Sequence, residues 1–181
     1  MKVIVFIFGA VLTLCSCANK PGIVEFPGVN DGVAFISTES AAAQLFCENK
    51  RIEGETGGEI NFNFSNSNIS VKGILKFPET SFIDQEQIFV AVPETVEGVA
   101  ALDLNPIKLK IEKPIFLTLK FSGLTIEEGD LINFNYVDEK GDIANVEYRR
   151  LIIDYDDGWA LVVNAKIYQF ARFGFTHRII N

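Results

Sequence analysis

The sequence of 181 residues holds one histidine, one tryptophan, one methionine and three cysteines. With only His177, placed beyond the last evident strand, neither a histidine-centred triad nor a multi-histidine zinc site is expected. Glycine spacing gives neither a GxxxxGK[ST] phosphate loop nor a GxGxxG turn after a strand. No apolar run reaches the roughly 20 residues that a membrane-crossing helix needs. Positive charge is also in short supply: 16 Lys and Arg stand against 24 Asp and Glu, for a net charge of −8. An acidic chain is a poor candidate for holding nucleic acid or lying flat on anionic lipid. No long stretch carries helical periodicity.

What is present begins with Met1-Lys2 and a short run, Val3 to Leu14, of unbroken apolar or small residues. A charged start followed by a short apolar segment is the layout of a secretory signal peptide. The segment ends in Leu14-Cys15-Ser16-Cys17, an aliphatic residue, then a small residue directly before a cysteine. This resembles the lipobox of bacterial lipoproteins, with cleavage between Ser16 and Cys17. Cys15 is the competing position, but the bulky Leu14 directly before it suits the cleavage pocket poorly. The resemblance implies a diacylglyceryl thioether on Cys17, usually with an acylated amino terminus. Each buried methylene contributes about 0.8 kcal/mol, so two or three chains anchor stably where one does not. The alternatives are an ordinary cleaved secretory peptide or an uncleaved anchor. Ala18 stands where aspartate resembles an inner-membrane retention signal, which leans the expected location towards the outer membrane. No acidic surface-export tag follows Cys17.

Loss of residues 1–16 removes one charge, Lys2, and takes the net charge to −9 over 165 residues. That length suffices for a real hydrophobic core. Sixteen phenylalanines argue for a packed fold over a disordered stalk. Cys47 is then the lone thiol, expected as a small buried hydrophobe more than as a reactive group. Residues 17–33 carry two prolines, three glycines and no periodicity, and read as a lipidated flexible tether. Ala41-Ala42-Ala43 allows a single helical turn.

Within the domain expected over 34–181, period-two alternation dominates from Gly57 onward. Ile60, Phe62 and Phe64 alternate with Asn61 and Asn63; Val71, Leu75 and Phe77 oppose Lys72 and Lys76. Residues 87–92 are apolar on both faces. Ile107, Leu109 and Ile111 alternate with lysines and a glutamate. Further runs cover 115–121, 131–137, 147–153, 159–163 and 166–175. Alternation of this kind suits half-buried strands, whose successive side chains point to opposite faces. Turn signals separate them, among them Asn66-Ser67-Asn68, Glu128-Gly129-Asp130 and Asp156-Asp157-Gly158. The expectation is an all-β fold, a sandwich of eight or nine mostly antiparallel strands.

Three segments carry a further likeness. Gly57-Gly58-Glu59-Ile60 precedes Leu75-Lys76-Phe77-Pro78-Glu79-Thr80-Ser81-Phe82. Leu104-Asn105-Pro106 precedes Ile111-Glu112-Lys113-Pro114-Ile115-Phe116-Leu117. Tyr168-Gln169-Phe170-Ala171-Arg172-Phe173-Gly174-Phe175 closes the series. In order and spacing these resemble ZU5-like domains over residues 57–176. Some members of that family cut their backbone at a His-Phe-Ser triplet, which needs a hydroxyl nucleophile and a base. The matching residues here are Gln169-Phe170-Ala171, so self-cleavage is expected to be absent.

Asp154, Asp156 and Asp157 cluster in the manner of a calcium site, since hard cations favour grouped oxygens. Gly158 falls where the third acidic ligand of an EF-hand loop should stand, and a hairpin turn is the preferred reading; no metal is expected. Trp159 follows that turn. It is a candidate sugar platform, but its alternation with Leu161 and Val163 suggests a core position. Paired carboxylates of a glycosidase are not singled out. The expectation is a non-catalytic, cofactor-free interaction or structural module, held at the envelope membrane by its lipid. Its partner is a protein or glycan met by a sheet edge or loop surface. The alternative is a carbohydrate-binding module or small glycan-active enzyme.

Overall fold

The computed structural model describes residues 33–38, 46–93, 99–138 and 141–178. Cys15, Ser16, Cys17, the tether up to residue 32 and the alanine run lie outside them. The described residues form twelve strands and no helix: β1 (Val33–Phe35), β2 (Phe46–Glu53), β3 (Gly58–Ser65), β4 (Ser70–Phe77), β5 (Gln85–Val92) and β6 (Ala101–Asn105); then β7 (Ile115–Ser122), β8 (Leu131–Val137), β9 (Ile143–Asn145), β10 (Arg150–Asp154), β11 (Trp159–Ile167) and β12 (Arg172–Arg178). One seven-stranded sheet runs β2-β5-β6-β12-β8-β9, with β1 also on β12; a five-stranded sheet runs β10-β11-β7-β4-β3. Every strand pairing among the described residues is antiparallel. The fold is an all-β sandwich.

Period-two sequence builds the layers directly. Ile60, Phe62 and Phe64 of β3 are buried while Glu59, Asn61, Asn63 and Ser65 between them are exposed. β7 alternates the same way, with Ile115, Leu117, Leu119 and Phe121 inward. Aromatic rings join the two layers. Phe121 of β7 meets Phe175 of β12 edge to face at 6.2 Å, and Phe64 of β3 stacks on Phe46 of β2 at 5.7 Å. Such ring pairs add about 0.5–1.5 kcal/mol beyond area burial.

The turns follow local chemistry. In the β3–β4 hairpin the Asn66 side-chain oxygen accepts the N–H groups of Asn68 (2.9 Å) and Ile69 (2.8 Å). Between β10 and β11 the Asp154 carboxylate accepts the Asp157 N–H at 3.0 Å. Gly158 closes that turn at φ 58°, in the left-handed region, and an added Cβ would sit 2.8 Å from the Leu124 carbonyl oxygen. Only glycine suits the position.

Several expectations are corrected. The described residues hold twelve strands, where about eight or nine were expected. Ile107–Ile111 is no strand: Pro106 lacks an N–H, the Leu109 N–H bonds the Pro106 carbonyl in a turn, and the segment crosses from one sheet to the other. The run 166–175 is broken, because Lys166 and Ile167 end β11 in the five-stranded sheet and Arg172 begins β12 in the other. Val33, the end of the expected tether, already pairs with Arg178. His177 lies inside β12, opposite Ile132 of β8.

Candidate functional site

The outward side chains of the five-stranded sheet form a continuous surface whose rows are fixed by register. One row crosses all five strands: Asn63, Lys72, Lys120, Leu161 and Ile152 are successive cross-strand partners from β3 to β10. Beside it runs Ser65, Ser70, Ser122, Trp159 and Asp154. On the other side Asn61 pairs Ile74, which pairs Thr118. There β11 bulges between Val162 and Ala165, and the Asn164 N–H donates to the Thr118 hydroxyl at 3.2 Å. Asn61, Asn63, Lys72, Ile74, Thr118, Lys120 and Leu161 border a shallow depression of about 420 Å³.

Trp159 belongs to this surface, which corrects the expectation of a core position. Ala160 and Val162 are fully buried in the first half of β11, so Trp159, Leu161 and Val163 between and beside them point outward and are half-buried. β11 is apolar on both faces, and alternation alone does not say which set turns inward. The Lys120 ammonium lies 3.8 Å from the centroid of the Trp159 ring. The ring's negative face attracts that cation. Lys120 and Trp159 are diagonal neighbours across β7 and β11, within reach of such long side chains.

The charges on this face are unevenly matched. Lys72 and Lys120 are direct cross-strand partners, and neither makes an ion pair among the described residues. Like charges placed opposite one another destabilise a sheet. At the margin Lys166 pairs with Glu147 at 2.5 Å, a hydrogen bond that holds its ammonium above the usual lysine range. The Glu59 carboxylate accepts the Asn61 amide at 2.9 Å.

The opposite outer face, on the seven-stranded sheet, is closed. Arg172 and Asp103 form a two-point ion pair at 2.7 and 2.9 Å, with only 14% and 12% of their side chains exposed. The Asn135 amide donates to the buried Thr176 hydroxyl at 2.8 Å, and the Asn135 side-chain oxygen finds no partner among the described residues. Phe35, Ala101 and Val137 cover this area together with Val99 and Ile143. Cys47, on the same face, is half-buried, with its thiol 3.9 Å from the Glu48 carbonyl oxygen.

Other singled-out residues stay apart. Asp154, Asp156 and Asp157 flank the β10–β11 turn, where one Asp154 oxygen is already engaged. Among the described residues no three acidic, thiol or imidazole groups converge. His177 Nδ1 stands 4.0 Å from an Asp130 oxygen. Gln169-Phe170-Ala171 occupies the bend between β11 and β12, with Phe170 buried in the core. A second depression of about 360 Å³ lies against the 78–84 loop. Its polar groups serve the loop itself: the Lys113 ammonium bonds the Glu79 carbonyl at 3.2 Å, and the Glu112 N–H bonds that of Ser81 at 2.7 Å.

Sequence reasoning picked out Trp159 but missed Lys72, Lys120 and Thr118 as neighbours, because only strand register brings them together. No protein-family model, no curated protein and no solved structure matches this chain.

Proposed function

We propose that this protein is a lipid-anchored, non-catalytic binding module of the bacterial cell envelope, whose ligand surface is the outer face of the five-stranded sheet. The observation that carries the reading is that face itself, an open strip lined by amide and hydroxyl side chains, one tryptophan, and two lysines with no ion pair among the described residues. Polar groups arrayed on a rigid sheet keep their spacing, which gives selectivity without induced fit. The Leu14-Cys15-Ser16-Cys17 segment supports the anchor. Tethering to a membrane raises effective concentration, so a weak site suffices.

The outward position of Trp159 favours a carbohydrate over a protein as the ligand. An aromatic ring beside neutral hydrogen-bonding groups suits the apolar and hydroxyl faces of a sugar. A stable protein interface instead asks for about 800 Å² per partner around a buried apolar centre. Here Lys72 and Lys120 interrupt the apolar floor of Ile74 and Leu161.

Two measurements test the reading. Mass spectrometry of the native protein is expected to find Cys17 as an acylated amino terminus; an unacylated chain in the soluble fraction would overturn the anchor. A glycan array probed with the detergent-solubilised protein is expected to give hits that weaken in Trp159→Ala. Hits untouched by that substitution would move the ligand off this face.

A further inference from the structure

We propose that the ligand of this face is an acidic polysaccharide, with Lys72 and Lys120 taking its carboxylates while Asn61, Asn63 and Thr118 bond its hydroxyls. The proposal rests on the reading of this face as the ligand surface and adds the charge class of the ligand.

The argument starts from a misfit. The chain carries 24 carboxylates against 16 basic groups. Yet no carboxylate of the described residues is set against Lys72 or Lys120, the two cations at the middle of the strip. Elsewhere the fold does supply counterions, giving Glu147 to Lys166 and Asp103 to Arg172. Two like charges on adjacent strands, with Cβ atoms about 5 Å apart, cost stability unless something anionic lies across them. Their ammonium groups are also anchored differently. Lys120 rests on the Trp159 ring, which fixes its position without neutralising it. The lysine on the ring thus keeps its charge.

The surroundings select the kind of anion. Asn63 flanks Lys72 in the same row, and Asn61 and Thr118 line the next one. These side chains donate and accept without charge, as sugar hydroxyls require. The strip is shallow and open, so it suits an extended chain better than an enclosed small ion. An acidic polypeptide offers carboxylates as well, but presents few hydroxyls to the amide row.

The test uses the full-length protein in detergent, titrated with polygalacturonate, neutral dextran and polyglutamate. Polygalacturonate is expected to bind and to weaken with added salt, since exposed charges are screened over about 10 Å at 0.1 M. Lys72→Gln with Lys120→Gln is expected to lower affinity at least tenfold, with the melting temperature little changed, because the like-charge opposition and the Lys120–Trp159 contact are lost together. Lys108→Gln with Lys110→Gln, away from the strip, is expected to leave affinity unchanged. Dextran binding that matches polygalacturonate and is insensitive to the Lys72 and Lys120 changes would overturn the acidic class while sparing the carbohydrate face. Polyglutamate binding as tight as polygalacturonate would replace the polysaccharide by an acidic protein. Failure of all three polymers to bind overturns the proposal; if glycan-array hits sensitive to Trp159→Ala persist, the underlying reading survives it.

Discussion

The two outer faces of the sandwich solve the same problem in opposite ways. At the centre of the seven-stranded sheet, polar side chains are covered: Arg172 closes on Asp103, Asn135 donates to the buried Thr176, and Phe35 lies across Gly174. On the five-stranded sheet Lys72 and Lys120 stand side by side with no carboxylate of the described residues paired to either, and Asn63 is exposed. The first arrangement contributes to stability, the second gives some up. Where a fold tolerates an uncompensated charge pair on a rigid surface, recognition is the natural return.

That contrast can be broken experimentally, and the closed face should yield the largest effect. Asp103→Ala removes the two-point partner of the nearly buried Arg172 guanidinium and is expected to cost about 3 kcal/mol in denaturant melts. A loss below 1 kcal/mol would put that pair on a par with a surface ion pair. Gly174→Ala comes next. Its new Cβ would lie 2.4 Å from the Ala100 carbonyl oxygen and 2.7 Å from the Phe35 ring, so the covering must shift. About 1–3 kcal/mol is expected, as for other overpacked sites. Lys72→Gln, on the open face, is expected to change stability by less than about 0.5 kcal/mol, while a glycan titration with the same variant loses affinity. The smallest effect is alkaline. Burial raises the Tyr148 phenol above the ordinary tyrosine range, and its hydroxyl donates to Asn133 at 2.7 Å. A raised folded-state value means stability is intact below the unfolded value and falls as pH rises through the folded one. Ultraviolet titration should show one tyrosine ionising late in the native protein, and Tyr148→Phe should remove that step.

Much of the fold was legible because half-buried strands write their geometry into the chain. β3 alternates so cleanly that its inward set, Ile60, Phe62 and Phe64, could be named in advance, and β7 keeps the same period. β2 hid for a physical reason. Lys50 shares the inward side with Ile52 but reaches over the open edge of the sandwich to donate to the Glu59 carbonyl at 2.9 Å. A charged residue on the core side spoils the pattern while satisfying the structure. β6 concealed itself through Asp103, which is buried only because Arg172, far along the chain, meets it. β1 and β9, three residues each, are too short to show a period. The candidate face was the least legible part. Its content is which residues lie abreast, and register is decided by pairing between strands.

Among the described residues the row from Asn63 to Ile152 runs out to the sheet border at both ends, since β3 and β10 are its outermost strands. A groove without a terminus grips the middle of a polymer as readily as its tip. A long chain therefore offers many overlapping places to settle, and the number of places grows with its length. Several anchored copies can occupy one strand of polymer together, turning a patch of membrane into a surface that holds it by many weak grips.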